Sequence, residues 1–213
     1  YPLIQREEVY LRVKERETMI ERIKKEIIED TENKKYTDKD IMPLFVADKE
    51  SRILIVGQAP GVKAQESMTA FNDKSGEKLL EWLGISEKEF RNPENFAILP
   101  MDFYYPGKGK SGDNKPRKDF AKKWHPLFLK EMDKIELVLL VGKYAIDFYL
   151  KEEKEKNLTE TVRNYKNYLP KYFPLVHPSP LNFRWHKKNP WFEEEVVPEL
   201  REVVAGILRK KNR

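Results

Sequence analysis

The sequence predicts an α/β domain built on a four-stranded, mostly parallel sheet, with a helical extension at its N-terminal end. Three observations carry this expectation. Four short apolar runs, at 53–56, 96–100, 137–141 and 173–176, have the length and composition of strands. Segments of helical periodicity fill the gaps, and alternation of this kind argues for parallel strands joined by crossover helices. The 213 residues, 39% of them hydrophobic, suffice for one full core and give no sign of two comparable domains.

In chain order, residues 3–30 are rich in Glu, Lys and Arg, with Val9, Val13, Ile20, Ile23 and Ile27 at helical spacing. This predicts an amphipathic helix or helix pair, packed as a lid within an extension over 1–45 of a single domain. A polar break at 30–39 reads as a loop, and a connector through Met42, Pro43 and Leu44 leads to the first strand. Helical patterns follow at 77–83, 121–132 and 143–155, with Ser75 as an N-cap before the first of them. Over 191–208, Val196, Leu200, Val203 and Ile207 form a last apolar stripe.

Composition narrows the chemistry. The chain has no cysteine, which removes disulfides, thiol nucleophiles, zinc–thiolate sites and cysteine-bound iron–sulfur clusters. The longest apolar runs are only strand-sized and the first residues are charged, so neither a transmembrane span nor a signal peptide is expected, and the chain reads as soluble and cytoplasmic. Lys and Arg number 41 against 36 Asp and Glu. That excess suits a polyanionic partner and equally suits a solvated surface.

Ligands of open α/β sheets bind beyond the carboxyl ends of the strands, so the four strand ends belong together. Seven of the nine glycines lie between Gly57 and Gly112, around the first two of these ends. In Gly57-Gln58-Ala59-Pro60-Gly61 the glycines permit a sharp bend and Pro60 stiffens it, exposing N–H groups for a base carbonyl or a phosphate. It is neither a Walker loop nor a dinucleotide fingerprint, and alone it reads as a simple turn. Phe71, in Phe71-Asn72-Asp73-Lys74-Ser75-Gly76, offers a ring for a planar base or for the core.

The second strand runs into Met101-Asp102-Phe103-Tyr104-Tyr105 and a loop bearing Lys108, Lys110, Lys115, Arg117 and Lys118. Cations interleaved with glycines beside tyrosines suit a nucleic-acid backbone, and the alternative is an exposed, mobile loop. Asp102, at the strand exit, has two open roles: orienting or deprotonating a water, or pairing with a lysine of the following loop. The last strand gives His177-Pro178-Ser179-Pro180-Leu181-Asn182, where two prolines hold a rigid projection that begins with an imidazole and presents an apolar Leu181. Arg184, Lys187 and Lys188 follow it. Ser179 lacks the G-x-S-x-G setting, which excludes a serine hydrolase.

Together the two end segments resemble the paired motifs of the uracil-DNA glycosylase superfamily: Gly57-Gln58-Ala59-Pro60-Gly61 is similar to GQDPYH, GINPG or GEAPG, and His177-Pro178-Ser179-Pro180-Leu181-Asn182 to HPSPLS. The likeness spans roughly 52–185 and points to a divergent branch. It implies a three-layer α/β/α fold, DNA bound across the strand ends, a flipped nucleotide whose glycosidic bond is hydrolysed, a monomer, and no metal or cofactor. Residue by residue, it implies that Gly57, Gln58 and Ala59 hold the base through backbone N–H groups and that Phe71 stacks on it. His177 would stabilise charge on the leaving base. Pro60, Gly61 and Ser179 would pinch phosphates, Leu181 would fill the vacated stack, and Asn182, Arg184, Lys108 and Lys110 would add DNA contacts.

Two departures matter. Where GQDPYH carries its water-positioning acid this chain has Ala59, and where GEAPG carries Glu it has Gln58, so either a water activator comes from elsewhere or catalysis is weak and rests on leaving-group stabilisation: Asp102 is the expected catalytic partner of His177, with Asp73 next. Gly61 replaces the bulky tyrosine that excludes thymine, which predicts a roomier pocket. Trp124, where cluster-bearing relatives place a cysteine, is expected as an apolar plug. Three functions are carried forward: a glycosylase for uracil or a related deaminated base, a non-catalytic nucleic-acid-binding relative, and a free nucleotide or nucleobase binder.

Overall fold

The computed structural model describes residues 17–210. The chain divides into two compact units, Tyr1–Pro43 and Leu44–Arg213. In the first, helix α1 (Met19–Glu29) is opened by a capping box: the Thr18 hydroxyl accepts the Glu21 amide at 3.2 Å, and the Glu21 carboxylate accepts the Thr18 amide at 2.7 Å. Ile23 and Ile27 are its buried residues, as their spacing predicts. Val9 and Val13 lie outside the described residues.

The polar stretch after α1 is helical rather than a loop. Asp30 caps a 3₁₀ turn at Thr31–Asn33, and α2 (Lys34–Thr37) follows it. Short side-chain bonds, including Asn33 Nδ2 to the Ile27 carbonyl at 2.7 Å, substitute for the apolar periodicity that would have announced it.

The second unit holds four parallel strands, β1 (Ile53–Val56), β2 (Phe96–Ile98), β3 (Leu137–Val141) and β4 (Tyr172–Leu175), in the order β2-β1-β3-β4. Every residue of β1, β2 and β3 is buried, which is why these strands read as unbroken apolar runs rather than alternating ones. Helices flank the sheet: α3 (Val62–Ser67), α4 (Lys74–Leu83), α5 (Glu87–Arg91), α6 (Phe120–Glu131), α7 (Lys143–Leu150), α8 (Leu158–Arg163), α9 (Phe183–Lys188) and α10 (Val197–Arg209). Among the described residues no helix is long and apolar enough to cross a membrane.

Two local expectations change. The cap of α4 is Asp73, whose carboxylate accepts the Gly76 amide at 3.0 Å, so the helix starts at Lys74 and Ser75 lies inside it. The last stripe is not one continuous α-helix, because a π-helical segment at Phe192–Val196 precedes α10. Trp124 is buried in α6, as expected of an apolar side chain there.

The order β2-β1-β3-β4 makes the chain cross from one side of β1 to the other between β2 and β3. The carboxyl end of β1 is therefore the switch point of the sheet, the usual place for a ligand in this architecture. The Gly57–Gly61 turn stands there.

Candidate active site

A pocket of about 240 Å³ opens at the switch point, lined by Gly57, Gln58, Ala59, Pro60, Gly61, Phe71, Asp73, Pro100, Asn114 and His177 among others. It is smaller than the roughly 300–1,000 Å³ of pockets for drug-sized ligands, and suits one ring system better than a dinucleotide. Segments from the ends of β1, β2 and β4 thus meet in one place.

The β1 turn is held by its neighbour. Met101 donates its amide to the Gly57 carbonyl at 2.9 Å and Asp102 its amide to the Gln58 carbonyl at 3.3 Å. The N–H groups of Gln58 and Ala59 make no hydrogen bond among the described residues, which leaves two donors on the pocket wall. A Cβ built on Gly61 meets nothing within 4 Å, so the wall is open where a bulky side chain would narrow it.

Phe71 is half-buried and occupies the left-handed region, with φ of 54°. A phenylalanine sits there only when its surroundings hold it. Two contacts do so. The Arg91 guanidinium donates to the Ala70 carbonyl at 2.5 Å and to the Phe71 carbonyl at 3.5 Å. Gly76 lets the chain pass so close that an added Cβ would lie 1.8 Å from the Phe71 oxygen. The ring tip comes within 3.4 Å of where a Gly57 Cβ would be, so the ring stands over the β1 turn.

His177, two residues past β4, enters the pocket with no hydrogen bond to its ring nitrogens among the described residues. Burial lowers its pKa, and the negative charge of Asp73 opposes that shift without cancelling it. The ring is therefore a neutral imidazole at pH 7. The turn that carries it is braced from within: Asn182 Nδ2 donates to the His177 carbonyl at 2.7 Å, and the Ser179 hydroxyl oxygen accepts the Leu181 amide at 3.1 Å. Leu181 is left 84% exposed at the tip. Asn182, expected on the DNA, thus spends its side-chain amide inside the turn.

Asp102 does not join the pocket. It is fully buried, and its carboxylate accepts Arg117 Nε at 2.7 Å, Arg117 Nη2 at 2.9 Å, and the amides of Arg117 and Tyr104 at 3.1 Å each. Of its two expected roles the ion pair forms, with Arg117 in place of a lysine. The forked guanidinium matches both oxygens and leaves neither for a water. Two carboxylates line the pocket, Asp73 and Asp113; Asp113 accepts the Tyr105 hydroxyl at 3.2 Å, whereas one Asp73 oxygen caps α4 and the other has no hydrogen-bond partner among the described residues.

The pair also closes a loop. Between Asp102 and Arg117 the chain forms a small hairpin, with a bridge between Lys108 and Asp113 and Asn114 N–H to the Gly107 carbonyl at 2.8 Å. Gly107, at φ 89°, permits the reversal. Lys108 and Lys110 are exposed on it, while Asp113 and Asn114 reach the pocket.

Beneath the β2 exit, His125 Nε2 donates to the Pro100 carbonyl at 2.8 Å, which makes Nδ1 the acceptor of the Tyr149 hydroxyl at 2.7 Å. Complete burial lowers the His125 pKa to about 4. This neutral imidazole fixes a carbonyl in the pocket floor. Arg91, Asp113, Asn114 and His125 were not singled out from the sequence: Arg91 and His125 are placed by partners 20 to 25 positions away, and Asp113 and Asn114 by a hairpin that folds back on Tyr105, Pro106 and Gly107.

A family model described as the uracil DNA glycosylase superfamily matches residues 44–201. The chain belongs to that superfamily. A solved structure similar to it is the solution NMR structure of a candidate uracil DNA glycosylase from Methanosarcina acetivorans, 15% identical, with a TM-score of 0.44 and covering 75% of this chain and 94% of its own. The superfamily match begins at Leu44, where the second compact unit begins. Among the described residues, no three His, Asp or Glu side chains gather as a metal site.

Proposed function

We propose that this chain is a DNA glycosylase that hydrolyses the N-glycosidic bond of uracil or a related deaminated base. The observation that carries the reading is the convergence of the Gly57–Gly61 turn, Phe71 and His177 on one ring-sized pocket at the switch point. Superfamily membership supports DNA as the polymer. A base buried in a duplex cannot reach such a pocket, so the target nucleotide is flipped into it.

Inside, Phe71 stacks on the ring and the Gln58 and Ala59 amides hold a carbonyl. As the bond from C1′ to the base nitrogen breaks, its electron pair passes to the base and onto a carbonyl oxygen. The neutral His177 donates a hydrogen bond to that oxygen, strongest when the charge is greatest. Water adds to C1′ and its proton goes to Asp73, a carboxylate that shares the pocket with His177 and takes the role expected of Asp102. Lys108, Lys110 and Arg184 meet phosphates, and Leu181 fills the vacated place in the stack.

Base release is measured on single-stranded and mismatched oligonucleotides containing uracil, hypoxanthine or xanthine, with alkali cleavage revealing abasic sites. Release of at least one base is expected. Salt-sensitive binding without release would select the non-catalytic reading, which Ala59 favours. Binding of a small nucleotide with no affinity for DNA would select the free-nucleotide reading.

A further inference from the structure

Leu181 and Phe183 are the most exposed large apolar side chains among the described residues, at 84% and 63%. Leu181 has a place in the proposed function and Phe183 has none. A single exposed ring is ordinary. This one is the first residue of α9 on a rigid mount: the turn before it is tied by its own hydrogen bonds, and Trp185 behind it donates Nε1–H to Thr159 Oγ1 at 3.0 Å. The next residue, His186, packs among Trp82, Trp185 and Phe192.

Phe183 also forms a wall of a second cavity, of about 470 Å³, between α4 and the turn. Lys74 and Ser179 line it too; Lys74 lies between Asp73 and Ser75 of the base pocket, and Ser179 follows His177 of that pocket by two residues. A strand that delivers one nucleotide to the base pocket brings its neighbour here. The lining favours a neutral ring over a phosphate, because Glu77, Glu81 and Glu193 outnumber Lys74 and Lys78, and Lys78 pairs with Glu81 at 3.3 Å and Glu193 at 3.5 Å. Those carboxylates repel a phosphate and accept hydrogen bonds from the amino groups of bases. Outside the cavity, Arg184, Lys187 and Lys188 on the same helix are exposed and form no ion pair among the described residues, ready for the backbone.

We propose that Phe183 and this second cavity hold the unpaired base adjoining the flipped nucleotide, so that single-stranded or locally unpaired DNA is the preferred substrate. The inference rests on the proposed function. A base that remains paired has both faces stacked and cannot enter; an unpaired one gains a ring to stack on, whatever its identity.

The test uses the full chain, an undamaged single-stranded oligonucleotide containing 2-aminopurine, and the corresponding duplex. Phe183→Ala is expected to weaken single-strand binding roughly 5- to 150-fold, the range for loss of one base–aromatic stack, and to relieve 2-aminopurine quenching. Duplex affinity is expected to change by less than about twofold and the salt slope to stay the same, since no charge is removed. Phe183→Trp is expected to retain binding. Leu181→Ala serves as the contrast, with its loss confined to duplex. Equal losses on both DNAs, or none, overturn the inference while leaving the proposed function standing. A wild-type chain that binds neither DNA overturns both. Because Phe183 is exposed, the thermal midpoint of Phe183→Ala is expected to match wild type, and a large drop would mean that the ring is structural.

Discussion

Replacing Asp102 by Asn separates a structural carboxylate from a catalytic one. The side chain keeps its shape, but one oxygen becomes an NH₂ that faces a guanidinium already donating from Nε and Nη2, and the charge that Arg117 pairs with is gone. Breaking a fully buried pair on one side costs about 3–5 kcal/mol. The Arg117 side chain is 25% exposed, so water recovers part of this, and a loss of about 2–3 kcal/mol is expected. For a chain of this size that lowers the thermal midpoint by about 4–12 °C. Base release per folded molecule, measured well below the new midpoint, is expected to stay within about threefold of wild type. An unchanged midpoint with base release abolished would refute the reasoning, and Asp102 would then be the catalytic acid.

Gly76→Ala puts a methyl carbon 1.8 Å from the Phe71 carbonyl oxygen, which forces Phe71 out of its left-handed conformation. Base release is expected to fall at least about tenfold, with the roughly 1–3 kcal/mol of destabilisation typical of overpacking visible in urea unfolding. His125 gives a pH dependence. Its folded pKa of about 4 lies below the ordinary 6.5, so between those values the unfolded chain binds more protons and stability falls as pH is lowered. Across the window the loss is of the order of 3 kcal/mol, and His125→Gln is expected to flatten that part of the unfolding free energy measured from pH 7 to 4. The double variant Lys108→Ala, Lys110→Ala removes two phosphate contacts and is expected to reduce the slope of log affinity against log salt by about 1.8 on duplex and about 1.4 on single strands, with base release at saturating DNA preserved.

The strands were legible because each is buried on both faces, so β1 and β3 announce themselves as Ile-Leu-Ile-Val and Leu-Val-Leu-Leu-Val. Gly57–Gly61 and His177–Asn182 were legible as a pair, since each carries its conformational signals locally in glycine and proline. Asp102 was legible as a strand-end acid but not as the partner of Arg117, which lies fifteen positions away along a loop that sequence gives no means of folding. The same holds for Arg91, whose guanidinium reaches back twenty and twenty-one positions to two carbonyls. Short helices such as α5 and α9 escaped because five or six residues carry too little periodicity to register. Nothing local in the sequence marks Phe183, and only its exposure beside a cavity gives it a role.

The central claim is that the pocket at the end of β1 cleaves with Asp73 and His177 acting on one base. The single-turnover rate of base release for Asp73→Asn, compared with wild type on the best lesion and at equal DNA occupancy, tests it most directly. The amide retains an oxygen to cap α4 while losing the capacity to take a proton, so the account predicts a fall of about 10²–10⁴-fold with an unchanged thermal midpoint. A rate within about threefold of wild type would contradict it and remove Asp73 from the chemistry.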